Sequence, residues 1–205
     1  MASAAPLTIV NVGYRSTNYW VVSAGTSRLL VDLGWPGMVA ALLANLARKG
    51  VPLNEIGYGL ATHYHIDHAG AAQDLKEKGV RLLLTEEQVA AVPLMKRWTK
   101  PADHYTDIST RDNVVISAAA SRVFLAKLGI PGEIVHTPGH SDDSVSLVLD
   151  NGAAFTGDLT FEQMVAEENP EVVARSWETL RERGVTTIYA GHGPVRPMPL
   201  PLPRE

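Results

Sequence analysis

"ATHYHIDHAG", residues Ala61 to Gly70, places three of the chain's seven histidines and one aspartate within six positions: His63, His65, Asp67 and His68. It follows directly on the apolar run "EIGYGL". Three explanations compete for so dense a polar cluster: a metal cage, a catalytic acid/base group, or a solvated turn that contains histidine.

Outward from this stretch, the same pattern repeats. Polar residues fall where an apolar strand ends: "GEIVHTPG" leads to His140, "GAAFTG" to Asp158, "TTIYAG" to His192 and "RLLV" to Asp32. Sites collect at such places in layered α/β proteins, because a rigid sheet edge holds side chains from distant positions together. Neutral imidazole and carboxylate are good zinc ligands, at about 2.0–2.2 Å. His63 and His65 reach one cation if the loop turns between them, and Asp67 and His68 are free to serve a second. Two cations about 3.5–4 Å apart want a shared carboxylate and one imidazole each. His140, Asp158 and His192 can supply these.

The secondary-structure signals alternate. Strands are expected at "LTIVNVG", "WVVSA", "RLLVD", "IGYGLAT", "VRLLLT", "GEIVHT", "DSVSLVLD", "GAAFTGD" and "VTTIYA". A Gly-Thr-Ser turn joins "WVVSA" to "RLLVD", and Asp150-Asn151-Gly152 reads as a hairpin turn. Helices are expected at "GMVAALLANLARKG", "AGAAQDLKEKG", "EEQVAAVPLMKRW", "SAAASRVFLAKLG" and "PEVVARSWETLRERG". Pro93 should kink or break the third of these. "KPADHYTDISTRDN" reads as a polar loop, and the five-proline segment "PVRPMPLPLPRE" as an extended tail on the surface or hanging free. The order indicates a mixed α/β protein with helices covering sheets.

Composition narrows the chemistry. With 205 residues, 45% hydrophobic and 20% charged, the chain suits one domain over 1–205, with about 197–205 as the proline-rich tail. There is no cysteine, so disulfides, thiolate metal sites and cysteine nucleophiles are excluded. The net charge of −4, without a basic run, argues against a nucleic-acid partner. No apolar run approaches the roughly 20 residues of a membrane span, and "MASAAPLTIVNVG" lacks the charged and apolar regions of a secretory signal. The expectation is a cytoplasmic protein with a small-molecule substrate and no membrane partner, a homodimer remaining open.

Taken together, His63-x-His65-x-Asp67-His68, "TPGH" with His140, "TGD" with Asp158 and "AGHGP" with His192 resemble the metallo-β-lactamase-fold hydrolases, in the same order and over nearly the whole chain. The resemblance implies a four-layered αββα sandwich of two mixed sheets flanked by helices. It implies a metal site of His63, His65 and His140, a second of Asp67, His68 and His192, and Asp158 as the bridge. Asp32 in "VDLG" matches an early aspartate that orients ligand histidines from behind. Two divalent ions, zinc first and manganese or iron as alternatives, would lower the pKa of water toward 7. A bridging hydroxide would then attack a small ester, thioester, lactone or amide. Asp67 is the expected catalytic residue, orienting the nucleophile and returning a proton to the leaving group.

Departures narrow the substrate. Ser144 stands where glyoxalase II-like enzymes carry a further histidine, and "AGHGP" is not followed by their helical domain, so a glutathione thioester is not favoured. Asp158 argues against a true β-lactamase. A mononuclear iron persulfide dioxygenase, or phosphodiesterase or β-lactamase activity on the same fold, are the alternatives, and lactonases stay open. His104, Tyr105 and Trp35 are candidate substrate contacts. His136 reads as structural, Asp142 and Asp143 as turn residues, Tyr64 and Ile66 as packing residues, and the four tryptophans as buried or half-buried.

Overall fold

The computed structural model describes residues 6–24, 27–161 and 169–201. Gly25 and Thr26 of the expected turn and the end of the tail therefore lie outside the described residues.

The first sheet holds β1 (Leu7–Asn11), β2 (Trp20–Ala24), β3 (Ser27–Val31), β4 (Ile56–Leu60), β5 (Arg81–Thr85) and β6 (Val114–Ile116) in sequence order. The β1–β2 and β2–β3 pairings are antiparallel, and those from β3 to β6 are parallel. The second sheet holds β7 (Gly132–His136), β8 (Val145–Leu149), β9 (Ala153–Gly157), β10 (Thr187–Ala190) and β11 (Arg196–Pro197), in the reverse spatial order. There β9 and β10 are parallel and the other pairs antiparallel. The helices are α1 (Val39–Arg48), α2 (Ile66–Ala69), α3 (Ala72–Glu77), α4 (Ala118–Lys127) and α5 (Pro170–Glu182).

Three apolar cores define the layers. Side chains alternate across a strand, so Val21 and Leu30 face α1 and α3, packing with Leu42, Leu46 and Leu75. Val22, Leu29 and Val31 face the other way, meeting Ile134, Leu147 and Phe155 of the second sheet. On the far side, Val148, Ala154 and Ile188 pack against Val173, Trp177 and Leu180 of α5. With both faces of each sheet covered, the strands read as continuous apolar runs. The result is the expected αββα sandwich with two mixed sheets.

Four local expectations change. Val114–Ile116, skipped between a polar loop and a helix, pairs in parallel with Leu83–Thr85 as β6. A three-residue edge strand is too short to show a period. The helix expected over 86–98 becomes two 3-10 segments, Glu86–Gln88 and Val92–Trp98, with Pro93 in the first turn of the second. Proline donates no backbone hydrogen bond, which the first turn tolerates. The tail does not hang free at its start: Arg196–Pro197 pairs with β10, and Met198 N donates to the Thr186 carbonyl at 2.8 Å. Trp98 is not buried but 64% exposed.

Candidate metal centre

The carboxyl ends of β3, β4, β7, β9 and β10 meet at one edge of the sandwich, and each is followed by one of the polar clusters. After β4 the chain turns through Thr62–His65 and starts α2 with His65 at its cap, so Asp67 and His68 lie in a single helical turn. The turn is packed closely: a Cβ on Gly70 would lie 2.3 Å from the Pro36 ring. Asp32, in a left-handed conformation (φ 63°), braces the loop from below. Its Oδ1 accepts from Thr62 N and Oγ1 at 2.7 and 2.9 Å, and its Oδ2 contacts His68 Nδ1 at 2.9 Å. From the other side, Asp143 Oδ2 accepts from Tyr64 N at 2.7 Å, so this turn carboxylate clamps the histidine loop.

The structure brings all seven predicted side chains together. His63, His65 and His140 form one group, His63, His68 and Asp158 a second, and Asp67, His68 and His192 a third. Within each, one candidate ligand atom per residue lies within 4.8 Å of the others. His65 Nδ1 and His140 Nε2 are 3.0 Å apart. Asp158 spans the groups: Oδ1 is 3.3 Å from His68 Nε2, while Oδ2 is 3.3 Å from His192 Nε2 and 3.8 Å from His140 Nε2. Asp67 Oδ2 lies 3.4 Å from His68 Nε2 and 3.2 Å from His192 Nε2, and accepts from Thr17 Oγ1 at 3.0 Å. Gly191 makes room for this approach, since a Cβ there would sit 2.5 Å from Asp158 Oδ1 and 2.6 Å from His68 Cε1.

The donor set fits divalent metal. His63 Nε2, His68 Nε2 and Asp158 Oδ1 are buried without a hydrogen-bond partner, an arrangement that is costly unless a ligand satisfies it. The opposite ring nitrogens are held: His63 Nδ1 by the Thr62 hydroxyl at 3.2 Å, His68 Nδ1 by Asp32, and His192 Nδ1 by the Ser16 carbonyl at 2.7 Å. Fixing Nδ1 turns Nε2 inward and sets the ring orientation.

Charge is divided within the cluster. Burial, then the neighbouring histidines His68, His65, His140 and His192, pushes the His63 imidazole well below its usual range. Burial and His140 do the same, less strongly, to His65. Burial opposes charge on His68 too, but the Asp32 charge and contacts with Asp158 and Asp67 outweigh it and hold His68 well above the usual range. Burial alone would raise the Asp67 and Asp158 carboxyls, and the contact with His68 and its charge hold both below.

A cavity of about 400 Å³ opens on the cluster, lined by His140, Asp158, His192, Phe161 and Arg196 among others. The expected contacts Trp35, His104 and Tyr105 are not among its lining residues. Trp35 and Tyr105 pack against the first core. His104 lines, with Tyr105 and Lys100, a separate recess of about 510 Å³ that contains none of the seven residues. Another, of about 570 Å³, is lined by exposed Arg15, Arg48 and Lys49 and also contains none of the seven. Ser144 is buried and turned toward Ser141 Oγ at 2.8 Å. Two residues near the cluster escaped the sequence reading. Trp98 places its ring 6.1 Å from that of His65, and Arg196 lies in the supposed tail. Neither stands in a motif.

The profile of the metallo-beta-lactamase superfamily matches residues 12–192. The chain belongs to this superfamily. Among metallo-beta-lactamase relatives, the beta-lactamase-like protein 2 homolog of Caenorhabditis elegans is 25% identical over 186 residues, which is 88% of this chain and 57% of that protein. The hydroxyacylglutathione hydrolase of Brucella ovis is 31% identical over 185 residues, covering 87% and 63% respectively. This chain thus spans roughly half to three-fifths of the length of the curated relatives it matches. In fold, it resembles TTHA1623, solved in a di-iron-bound form. The TM-score is 0.70 and the identity 22%, over 93% of this chain and 94% of that one.

Proposed function

We propose that this protein is a hydrolase that uses two divalent metal ions to cleave a small ester, thioester, lactone or amide. The observation that carries the reading is a buried cluster in which His63 Nε2, His68 Nε2 and Asp158 Oδ1 make no hydrogen bond, and whose Asp158, His140 and His192 line a substrate-sized cavity. His63, His65 and His140 would hold one ion, and Asp67, His68 and His192 the other. Asp158, with one oxygen toward His68 and the other toward His140 and His192, would hold both. Bound there, the ions supply an activated water and a Lewis acid for the substrate oxygen.

The chain's own groups do the rest. Asp32 and the Ser16 carbonyl fix the rings of His68 and His192. Asp67, kept ionised by His68 and oriented by Thr17, accepts a hydrogen bond from the attacking group and passes the proton to an alkoxide or amine leaving group. Trp98, exposed beside His65, offers the substrate an apolar surface. The Brucella relative's name makes a glutathione thioester one candidate within this class.

Metal analysis of protein produced without added metal, with a panel of ester, thioester, lactone, β-lactam and phosphodiester substrates, tests the reading. Two divalent ions per chain and turnover of one carbonyl class are expected. One iron per chain with oxygen uptake on a persulfide would replace hydrolysis by oxygenation.

A further inference from the structure

Arg196 occupies the same cavity as His140, Asp158 and His192. Its backbone is fixed by the β10–β11 pairing, where it sits opposite Ile188. Its guanidinium carbon lies 3.6 Å from the centroid of the Phe161 ring. Phe161 in turn stacks on Trp177 at 5.8 Å and 12°, and Trp177 is fully buried, with its indole N–H donating to the Thr160 carbonyl at 2.7 Å. The guanidinium therefore rests on a stacked pair of aromatic rings.

Among the described residues, Arg196 has no carboxylate partner, and its Nε is buried with no hydrogen bond. Five other arginines, Arg122 and Arg183 among them, do pair with carboxylates. Burial alone pushes the Arg196 guanidinium below its ordinary value, with no anion offsetting it. A half-buried cation left in this state is unfavourable until a ligand completes it. A guanidinium lying flat on a ring keeps its in-plane donors, and that planar fork matches a carboxylate with two parallel hydrogen bonds.

We propose that Arg196 binds a carboxylate of the substrate, so that the bond to be cleaved lies at the metal cluster and a second, anionic group lies at the Phe161 side of the cavity. The inference rests on the hydrolase reading above and narrows it to carboxylate-bearing esters, thioesters, lactones or amides.

The test compares mono-(4-nitrophenyl) glutarate with its methyl ester on the zinc-loaded protein. The wild type should favour the acid by at least tenfold in kcat/KM, mainly through KM. Arg196→Met should lose at least tenfold more on the acid than on the methyl ester, and Arg196→Lys should recover part of that loss, keeping the charge without the fork. No preference in the wild type, or an equal loss on both substrates, overturns the proposal. If the Met variant does not fold, Arg196→Gln takes its place. If the wild type hydrolyses neither ester, the hydrolase reading fails for this class, and binding of monomethyl glutarate by calorimetry decides Arg196 separately. At least tenfold weaker binding to Arg196→Met supports the carboxylate site, while equal binding, or none to the wild type, overturns it.

Discussion

His63, His65 and His140 form a pocket of three imidazoles, whereas Asp67, His68 and His192 mix one carboxylate with two imidazoles and have Asp32 behind them. In the first pocket, burial and mutual repulsion keep His63 and His65 neutral. In the second, three carboxylates surround His68 and favour its protonated form in the metal-free protein. Each pocket takes two of its residues from one ten-residue stretch, and both lie beside Asp158, yet one is ready for a cation and the other must first lose a proton. Ligand identity alone does not set this difference. The surrounding charges do.

Breaking the shared carboxylate should have the largest effect. Asp158→Ala, which takes the common ligand from both pockets, should lower metal content from two ions toward one or none and abolish measurable turnover, with the circular dichroism spectrum retained. Asp67→Ala, acting on the second pocket alone, should lower turnover by about 10²–10⁴-fold. Near-normal turnover in a clean preparation would remove Asp67 from the mechanism. Asp32→Asn keeps shape but removes the charge behind His68, and should weaken one metal by about 10–100-fold, seen as a split between tight and weak ions in a chelator titration. Equal weakening of both ions would show that Asp32 supports the whole loop rather than one pocket.

Acid should separate the pockets without mutation. A proton competes with metal for each imidazole. Because His68 is raised and His63 and His65 are lowered, falling pH should release the ion of the second pocket first, the first pocket holding its ion to lower pH. Stepwise release followed by a metal indicator reads the order, and simultaneous or reversed release would break the comparison. Trp98→Ala should have the smallest effect, a rise in KM of about tenfold for an apolar acyl substrate, with metal content unchanged.

Much of this was legible in the chain. The strand ends, the hairpin at Asp150–Gly152 and the helices α1, α4 and α5 follow from apolar periodicity and glycine punctuation, which are local signals. The seven polar residues stood out because each followed an apolar run. Trp98, β6 and β11 did not, because each is ordered by a distant partner: the His65 ring, the edge of β5, and β10. His104, Tyr105 and Trp35 stand in polar or glycine-rich sequence, which does not show where they pack: Tyr105 and Trp35 lie against the first core, and His104 lines a separate recess.

What the sequence determined by itself was chemistry: imidazoles and carboxylates without a thiolate, spaced in the metallo-beta-lactamase order, a donor set suited to divalent metal. What only the tertiary structure decided was environment. Burial makes His63 neutral, three carboxylates from separate elements make His68 favour a proton, and a strand pairing of the supposed tail lays Arg196 over Phe161 beside the same cluster. Electrostatics and desolvation depend on distances between groups far apart in the chain, and those distances exist only once the two sheets have closed on each other.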